Sequence, residues 1–183
     1  MRGRYKISLI GKHQIENAVT ALVVLRYLQS TDSKITKKGV KNGLANTKIS
    51  ARCQVISRNP LIIVDSAHNP ESAKSLYDVI NNIINQKVII IFGSSQGKLV
   101  KEIFRILVPL TKKFILTQSE NPRHIPSSEL AKLLSKFTVS FQITDNISDA
   151  IKQGLSLSRG KTPIIITGSF YVASEALIAI NLS

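Results

Sequence analysis

The 183-residue chain has one cysteine, one methionine and no tryptophan, and its aromatics are only four tyrosines and six phenylalanines. A single cysteine, Cys53, cannot close an internal disulfide, so a reducing, cytoplasmic setting fits. Apolar runs are short. Val88-Ile89-Ile90-Ile91-Phe92 is among the longest, far below the roughly 20 residues a membrane helix needs. Met1-Arg2-Gly3-Arg4-Tyr5-Lys6 leads into one apolar triplet, so no signal peptide is expected. His13, His68, His124 and Cys53 lack the paired spacing of a zinc site, and no metal centre is expected from them. Neither a G-x-S-x-G elbow nor a Cys/His nucleophile pair occurs. Acidic residues are also scarce. Eleven Asp and Glu against 25 Lys and Arg leave a net charge of +14, which taken alone suggests nucleic acid or phosphate. The sparse aromatics do not interleave with the basic residues, and this argues against single-stranded nucleic acid.

What is present is aliphatic. Apolar residues make up 43% of the chain, enough for a core and too many for a disordered chain. Residues 1–50 carry 10 basic and 2 acidic side chains, and residues 51–183 carry 15 and 9. The basic excess is therefore concentrated at the start, and the two parts read as different pieces of structure. Ile15–Leu28 is apolar on nearly every side and predicts a buried helix. Thr31-Asp32-Ser33 breaks it. A short basic helix over 36–44, capped by Thr36, follows, with a linker over 46–50.

From residue 51 strands and helices alternate. Strands are expected at 61–64, 88–92, 114–117, 139–143 and 163–167. Helices are expected at 71–84, 99–108, 127–136 (capped by Ser127), 147–157 and 170–180. Short aliphatic strands without alternation are buried on both faces. The expected fold is α/β: a Rossmann-like, mostly parallel sheet with helices on both faces, preceded by a helical N-terminal segment.

Function in such a sheet collects at the carboxyl ends of the strands. Four loops there are unusual. Asp65-Ser66-Ala67-His68-Asn69-Pro70 offers a carboxylate for ribose hydroxyls or a cation, and a histidine for proton transfer or phosphate. Equally, Asp65 suits a turn or cap, and His68 a plain loop. Gly93-Ser94-Ser95-Gln96-Gly97-Lys98 resembles a phosphate loop but is one residue short of a Walker A, with Leu99 where a Mg²⁺-binding hydroxyl belongs. It offers N–H groups and Lys98 to an anion, or is an ordinary glycine turn. Thr117–Pro126 is long for its place and carries Arg123, a candidate carboxylate clamp or a surface residue. Gly168-Ser169 opens the last helix, where Ser169 either meets an anion or caps the helix.

Taken together these strings resemble folylpolyglutamate and dihydrofolate synthases of the Mur ligase superfamily. Gly11-Lys12-His13-Gln14-Ile15-Glu16-Asn17-Ala18 resembles their G-x-H-Q-x-x-N-A motif. Ala51-Arg52-Cys53-Gln54-Val55-Ile56 resembles G-R-x-x-V-I, and residues 65–70 resemble D-G-A-H-N-P. Thr117–Pro126 is similar to the loop ending in P-R, and residues 167–171 to T-G-S-x-Y. The departures are Ala51 and Ser66 where glycine is usual, and Gly97 where aspartate usually precedes the lysine.

The resemblance implies ATP-dependent amide formation in folate biosynthesis, in which a folate or pterin carboxylate is activated as an acyl phosphate and joined to glutamate. It implies that Asn17, Arg52 and Asp65 contact ATP, that His68 acts at the reacting centre, and that Lys98, Ser169 and Arg123 bind glutamate. It implies that residues 1–50 are the helical end of the central ATPase domain and that residues 51–183 are the glutamate ligase domain. ATP and Mg²⁺ would then be bound mainly by a P-loop central domain absent from these 183 residues, supplied upstream or as a separate chain. The chain would be inactive alone. A non-catalytic nucleotide- or amino-acid-binding module remains the alternative. The apolar segment 15–28, without its neighbours, is expected to drive self-association or to dock on the 51–183 domain.

Overall fold

A computed structural model describes residues 3–31 and 34–181. Asp32 and Ser33 of the expected break, and Met1 and Arg2, lie outside the described residues. Residues 1–50 and 51–183 form two compact units.

The first unit holds helices α1 (Lys12–Leu28) and α2 (Lys37–Asn46). Thr36 caps α2, its hydroxyl accepting the Gly39 N–H at 3.0 Å, as the sequence predicts. The Ser8 hydroxyl donates to the carbonyls of Leu44 and Thr47, tying the preceding segment to α2. The expectation of a buried helix over 15–28 is not met. Gln14 is the buried residue of α1, whereas Val19, Val23 and Tyr27 are more than half exposed. Apolar composition sets what a helix can bury; whether it does depends on a partner surface.

The second unit is a six-stranded sheet in the order β1-β2-β6-β3-β4-β5. Its strands are β1 (Gln54–Arg58), β2 (Leu61–Val64), β3 (Val88–Phe92), β4 (Thr111–Leu116), β5 (Phe141–Ile143) and β6 (Ile164–Thr167). All neighbours pair in parallel except the antiparallel edge strand β1. β1 has no counterpart in the sequence reading. It is half-buried and follows a charged corner, so it lacks the aliphatic run that marks the others. The central strands are buried on both faces, with Val88 to Phe92 at most 1% exposed.

Between strands run α3 (Pro70–Val79), α4 (Val100–Leu107), α5 (Ser127–Leu134), α6 (Ile147–Ser158) and α7 (Phe170–Asn181). Ile89, Ile91, Ile115, Ile164 and Ile166 face α6 and α7. Their alternating neighbours Ile90, Phe92 and Phe114 point to the opposite face, where Phe104 of α4 stacks at 4.9 Å from Phe92 and 5.5 Å from Phe114. Pro126, not Ser127, occupies the cap of α5. Ser127 is drawn inward instead, its N–H donating to Gln118 Oε1. Beyond Val79 the helix α3 widens into a π turn over Ile80–Ile84, closed by Asn85 in the left-handed region. Among the described residues no helix is long and apolar enough to cross a membrane.

The chain visits β2, β3, β4 and β5 and then returns to insert β6 between β2 and β3. The carboxyl ends of β2, β6, β3 and β4 therefore lie side by side at the point where strand order reverses, where doubly wound sheets bind ligands.

Candidate functional site

Most residues of the 65–70 loop have a local structural role. The buried Asp65 carboxylate accepts the Cys53 N–H and thiol through Oδ2, at 2.9 and 3.4 Å, and the Ala67 N–H through Oδ1 at 2.8 Å. It thereby clamps the 51–53 corner, where Ala51 and Cys53 have φ of 56° and 45°. Both sit in the left-handed region that favours glycine, which accounts for the glycine usual at position 51 in the resembling pattern. Asn69 caps α3 in a reciprocal capping box with Ser72, and Pro70 takes the first helical position. His68 is half-buried between these fixed points. Its Nδ1 lies 2.9 Å from the Ser66 carbonyl. A carbonyl only accepts, so Nδ1 carries the proton and Nε2 of the neutral ring keeps a lone pair.

The second and third loops are zipped by their backbones. Gln96 N–H donates to the Arg123 carbonyl and Ile125 N–H to the Ser94 carbonyl, both at 2.8 Å. Ser95 and His124 form an isolated antiparallel bridge. Asn121 Oδ1 accepts the Arg123 N–H and its carbonyl faces His124 Nδ1, so the turn is held from within. Lys98 and Arg123, 25 residues apart, are thus fixed on one rim.

The floor is made by glycines. An added Cβ on Gly168 would stand 2.4 Å from the Gly93 carbonyl oxygen, so no side chain fits between the ends of β6 and β3. Ser169, 3% exposed, accepts the Val172 N–H through its hydroxyl at 3.1 Å and caps α7.

These loops enclose a pocket of about 310 Å³ lined by His68, Ser95, Gln96, Lys98, Arg123, Ser169, Phe170 and Tyr171. It brings together His68, Lys98, Arg123 and Ser169 of the residues expected from sequence. Arg52 reaches its edge, with the guanidinium 5.4 Å from the centre of the Phe170 ring. Asp65 lies beneath, engaged in the clamp. Asn17 is on α1 in the first unit, exposed, with its amide donating to Gln14 Oε1 at 3.2 Å.

The lining offers two cations, three hydroxyl-bearing residues, an amide and a histidine, and no carboxylate. It suits an anion and fits no Mg²⁺. Among the described residues no group of His, Cys, Asp or Glu is placed to hold a metal ion. Sequence reasoning passed over Phe170, Tyr171 and Gln96. The first two stand inside the T-G-S-x-Y string, where their position beside Ser169 was the available signal. A larger cleft of about 640 Å³ lies elsewhere in this unit, lined by Glu120, Asp145 and Glu175 with His124. Glu175 there accepts the Glu120 N–H, and burial pushes its carboxyl up from the usual range.

Residues 51–170 match the family model described as Mur ligase, glutamate ligase domain. The dihydrofolate synthase/folylpolyglutamate synthase of Buchnera aphidicola (subsp. Acyrthosiphon pisum) is 34% identical over 167 residues, 89% of this chain and 39% of that protein. A Mycobacterium tuberculosis folylpolyglutamate synthase complexed with ADP superposes with a TM-score of 0.86 at 26% identity, covering 95% of this chain and 41% of that one. A bifunctional folylpolyglutamate synthase/dihydrofolate synthase with Mn, AMPPNP and L-glutamate bound gives 0.83 at 25% identity, covering 98% and 42%. The chain spans about 39% of the length of the curated relatives it matches.

Proposed function

The chain belongs to the Mur ligase glutamate ligase domain family, and on that premise we propose that it supplies the glutamate-side half of an ATP-dependent ligase acting on a folate- or pterin-type carboxylate. The observation that carries this reading is the single pocket that gathers Lys98, Arg123, Ser169 and His68 with no carboxylate among them. Glutamate brings carboxylates, and two cations on a rim fixed by backbone bridges meet them without a competing internal acid.

The chemistry needs an activated acyl group. ATP phosphorylates the substrate carboxylate, the glutamate nitrogen attacks the acyl carbon, and phosphate leaves with the C–O bonding pair. The attacking nitrogen must shed a proton. His68, with Nδ1 bound to Ser66 and Nε2 free, is placed to orient the amine and accept that proton. Arg52 reaches the nucleotide phosphates, and Asp65 turns its remaining acceptor capacity to the ribose. Asn17 meets the adenine. Closure of the two halves would order the reactants and keep water from the acyl phosphate.

The G-x-x-x-x-G-K-[ST] string does not occur in these 183 residues. Turnover on this reading therefore needs a P-loop part joined upstream or added as a second chain, and ATP and Mg²⁺ bind mainly there. Residues 1–50 would be the helical end of that ATPase domain. The test is glutamate-dependent phosphate release by the reconstituted protein. We expect release with wild type and a loss of about 10²-fold or more with His68→Gln. No release at any ratio, with both parts folded, overturns the ligase reading. Saturable ATP or glutamate binding without release would instead favour a non-catalytic binding module.

A further inference from the structure

The geometry points to Phe170 as a positioning residue that holds both Arg52 and His68 over the pocket, an inference that rests on the ligase reading above. Phe170 opens α7 and is 52% exposed. The Arg52 guanidinium lies 5.4 Å from its ring centre. The His68 ring lies 5.0 Å away, tilted by 42°. One ring therefore touches both a proposed phosphate contact and the proposed proton acceptor.

The kind of contact matters. Among the described residues the one ion pair is Lys152–Asp149, so an aromatic face rather than a carboxylate holds Arg52. A carboxylate would consume the guanidinium N–H groups. A ring attracts the cation without presenting a carboxylate acceptor, so the guanidinium donors remain for an incoming anion. Arginine also gives up much rotamer freedom on binding, and a side chain already ordered gives up less. The Asp65 clamp on Cys53 fixes the backbone from one end, and Phe170 fixes the head from the other. His68 is constrained in the same manner, by Ser66 at Nδ1 and by the Phe170 ring, so that Nε2 stays free.

Two substitutions separate holding from simple packing. Phe170→Leu keeps apolar bulk and removes the ring face. Phe170→Trp keeps the face and, in a chain without tryptophan, adds one fluorophore. Titration calorimetry with ATP of the chain reconstituted with its P-loop part is expected to show about fivefold weaker binding for Phe170→Leu and a change within about twofold for Phe170→Trp. In an Arg52→Gln background, Phe170→Leu should add little. The proposal is overturned if Phe170→Leu binds ATP as wild type does, or if its loss persists undiminished with Arg52→Gln. If the reconstituted wild type itself fails to bind ATP, the nucleotide reading of Arg52 falls, and emission of the Phe170→Trp chain decides the positioning role by itself. Arg52→Gln and His68→Gln should each shift that emission without ligand. Emission unchanged by both overturns the role.

Discussion

Three glycines at the site separate backbone strain from steric exclusion, and the resulting stabilities can be ordered in advance. Gly97 has φ of +75° and nothing within 4 Å of an added Cβ, so Gly97→Ala meets strain alone. Gly93 has no left-handed φ, but its Cβ would stand 2.7 Å from the Thr117 carbonyl oxygen and 2.9 Å from Val172. It meets sterics alone. Gly168 meets both: φ is +113°, and its Cβ would lie 2.4 Å from the Gly93 oxygen and 2.8 Å from the Phe92 ring. Neither neighbour yields easily, because Phe92 is fully buried and the Gly93 carbonyl is backbone.

Left-handed strain costs about 1 kcal/mol for alanine. Overpacking against backbone costs about 1–3 kcal/mol. Gly97→Ala should thus lose about 1 kcal/mol, Gly93→Ala about 2, and Gly168→Ala about 3–4, the last lowering Tm by about 10 °C or more for a domain of this size. Urea unfolding followed by circular dichroism measures all three. The order is the test. If Gly168→Ala is no worse than Gly97→Ala, the ends of β3 and β6 are not in contact as described, and the pocket floor is wrong. If Gly93→Ala costs nothing, the loop after β3 does not press on Thr117.

Other outcomes follow from single contacts. Asn69→Ala should destabilise the chain by about 1–2 kcal/mol in urea, because it removes a two-way capping box. The Cys53 thiol is pushed well above its ordinary value of 9.0, first by burial, then by the charge and hydrogen bond of Asp65. Above that pH the unfolded thiol loses its proton while the folded one keeps it. The unfolded state then binds fewer protons, and stability falls by up to about 1.4 kcal/mol per pH unit. Cys53→Ala should flatten that part of the pH–stability curve, and an unchanged slope between the two chains refutes the buried thiol. Ile15, Val19, Val23 and Tyr27 repeat along α1 at a four-residue spacing and are all exposed. Self-association of the chain is expected, and Val23→Lys should weaken it in sedimentation velocity; a monodisperse wild-type monomer counts against it.

The sheet was legible because burial on both faces leaves a mark in composition. β2, β3 and β6 are mostly isoleucine and valine, and β4 ends on the buried Phe114-Ile115-Leu116. β1 was not legible, because an edge strand needs one apolar face only and β1 begins at a corner read for its arginine. The exposure of α1 was not legible either, since a sequence records an apolar face and not the surface that covers it. The cap of α5 was misplaced by one residue because Pro126 already has the extended conformation a cap requires, with φ of −53° and ψ of 138°.

At the site, residue types were legible and relations were not. Reading Asp65-Ser66-Ala67-His68-Asn69-Pro70 as a line gives a carboxylate and a histidine three residues apart, both available. The fold gives them different tasks. Asp65 spends three acceptor positions on the 51–53 corner and on Ala67, so its first effect is to fix where Arg52 starts. Asn69 and Pro70 start α3, and Ser66 sets the tautomer of His68 through its carbonyl. His68 Nε2 is left without a hydrogen-bond partner inside the fold. The +14 charge follows the same rule. Lys98, Arg123 and Arg52 matter because bridges and a ring hold them around one pocket, while the other basic residues raise the total without meeting there. Net charge alone pointed toward nucleic acid; two cations lining one pocket without a carboxylate, with Arg52 against the ring of Phe170 beside it, suit a small anion instead.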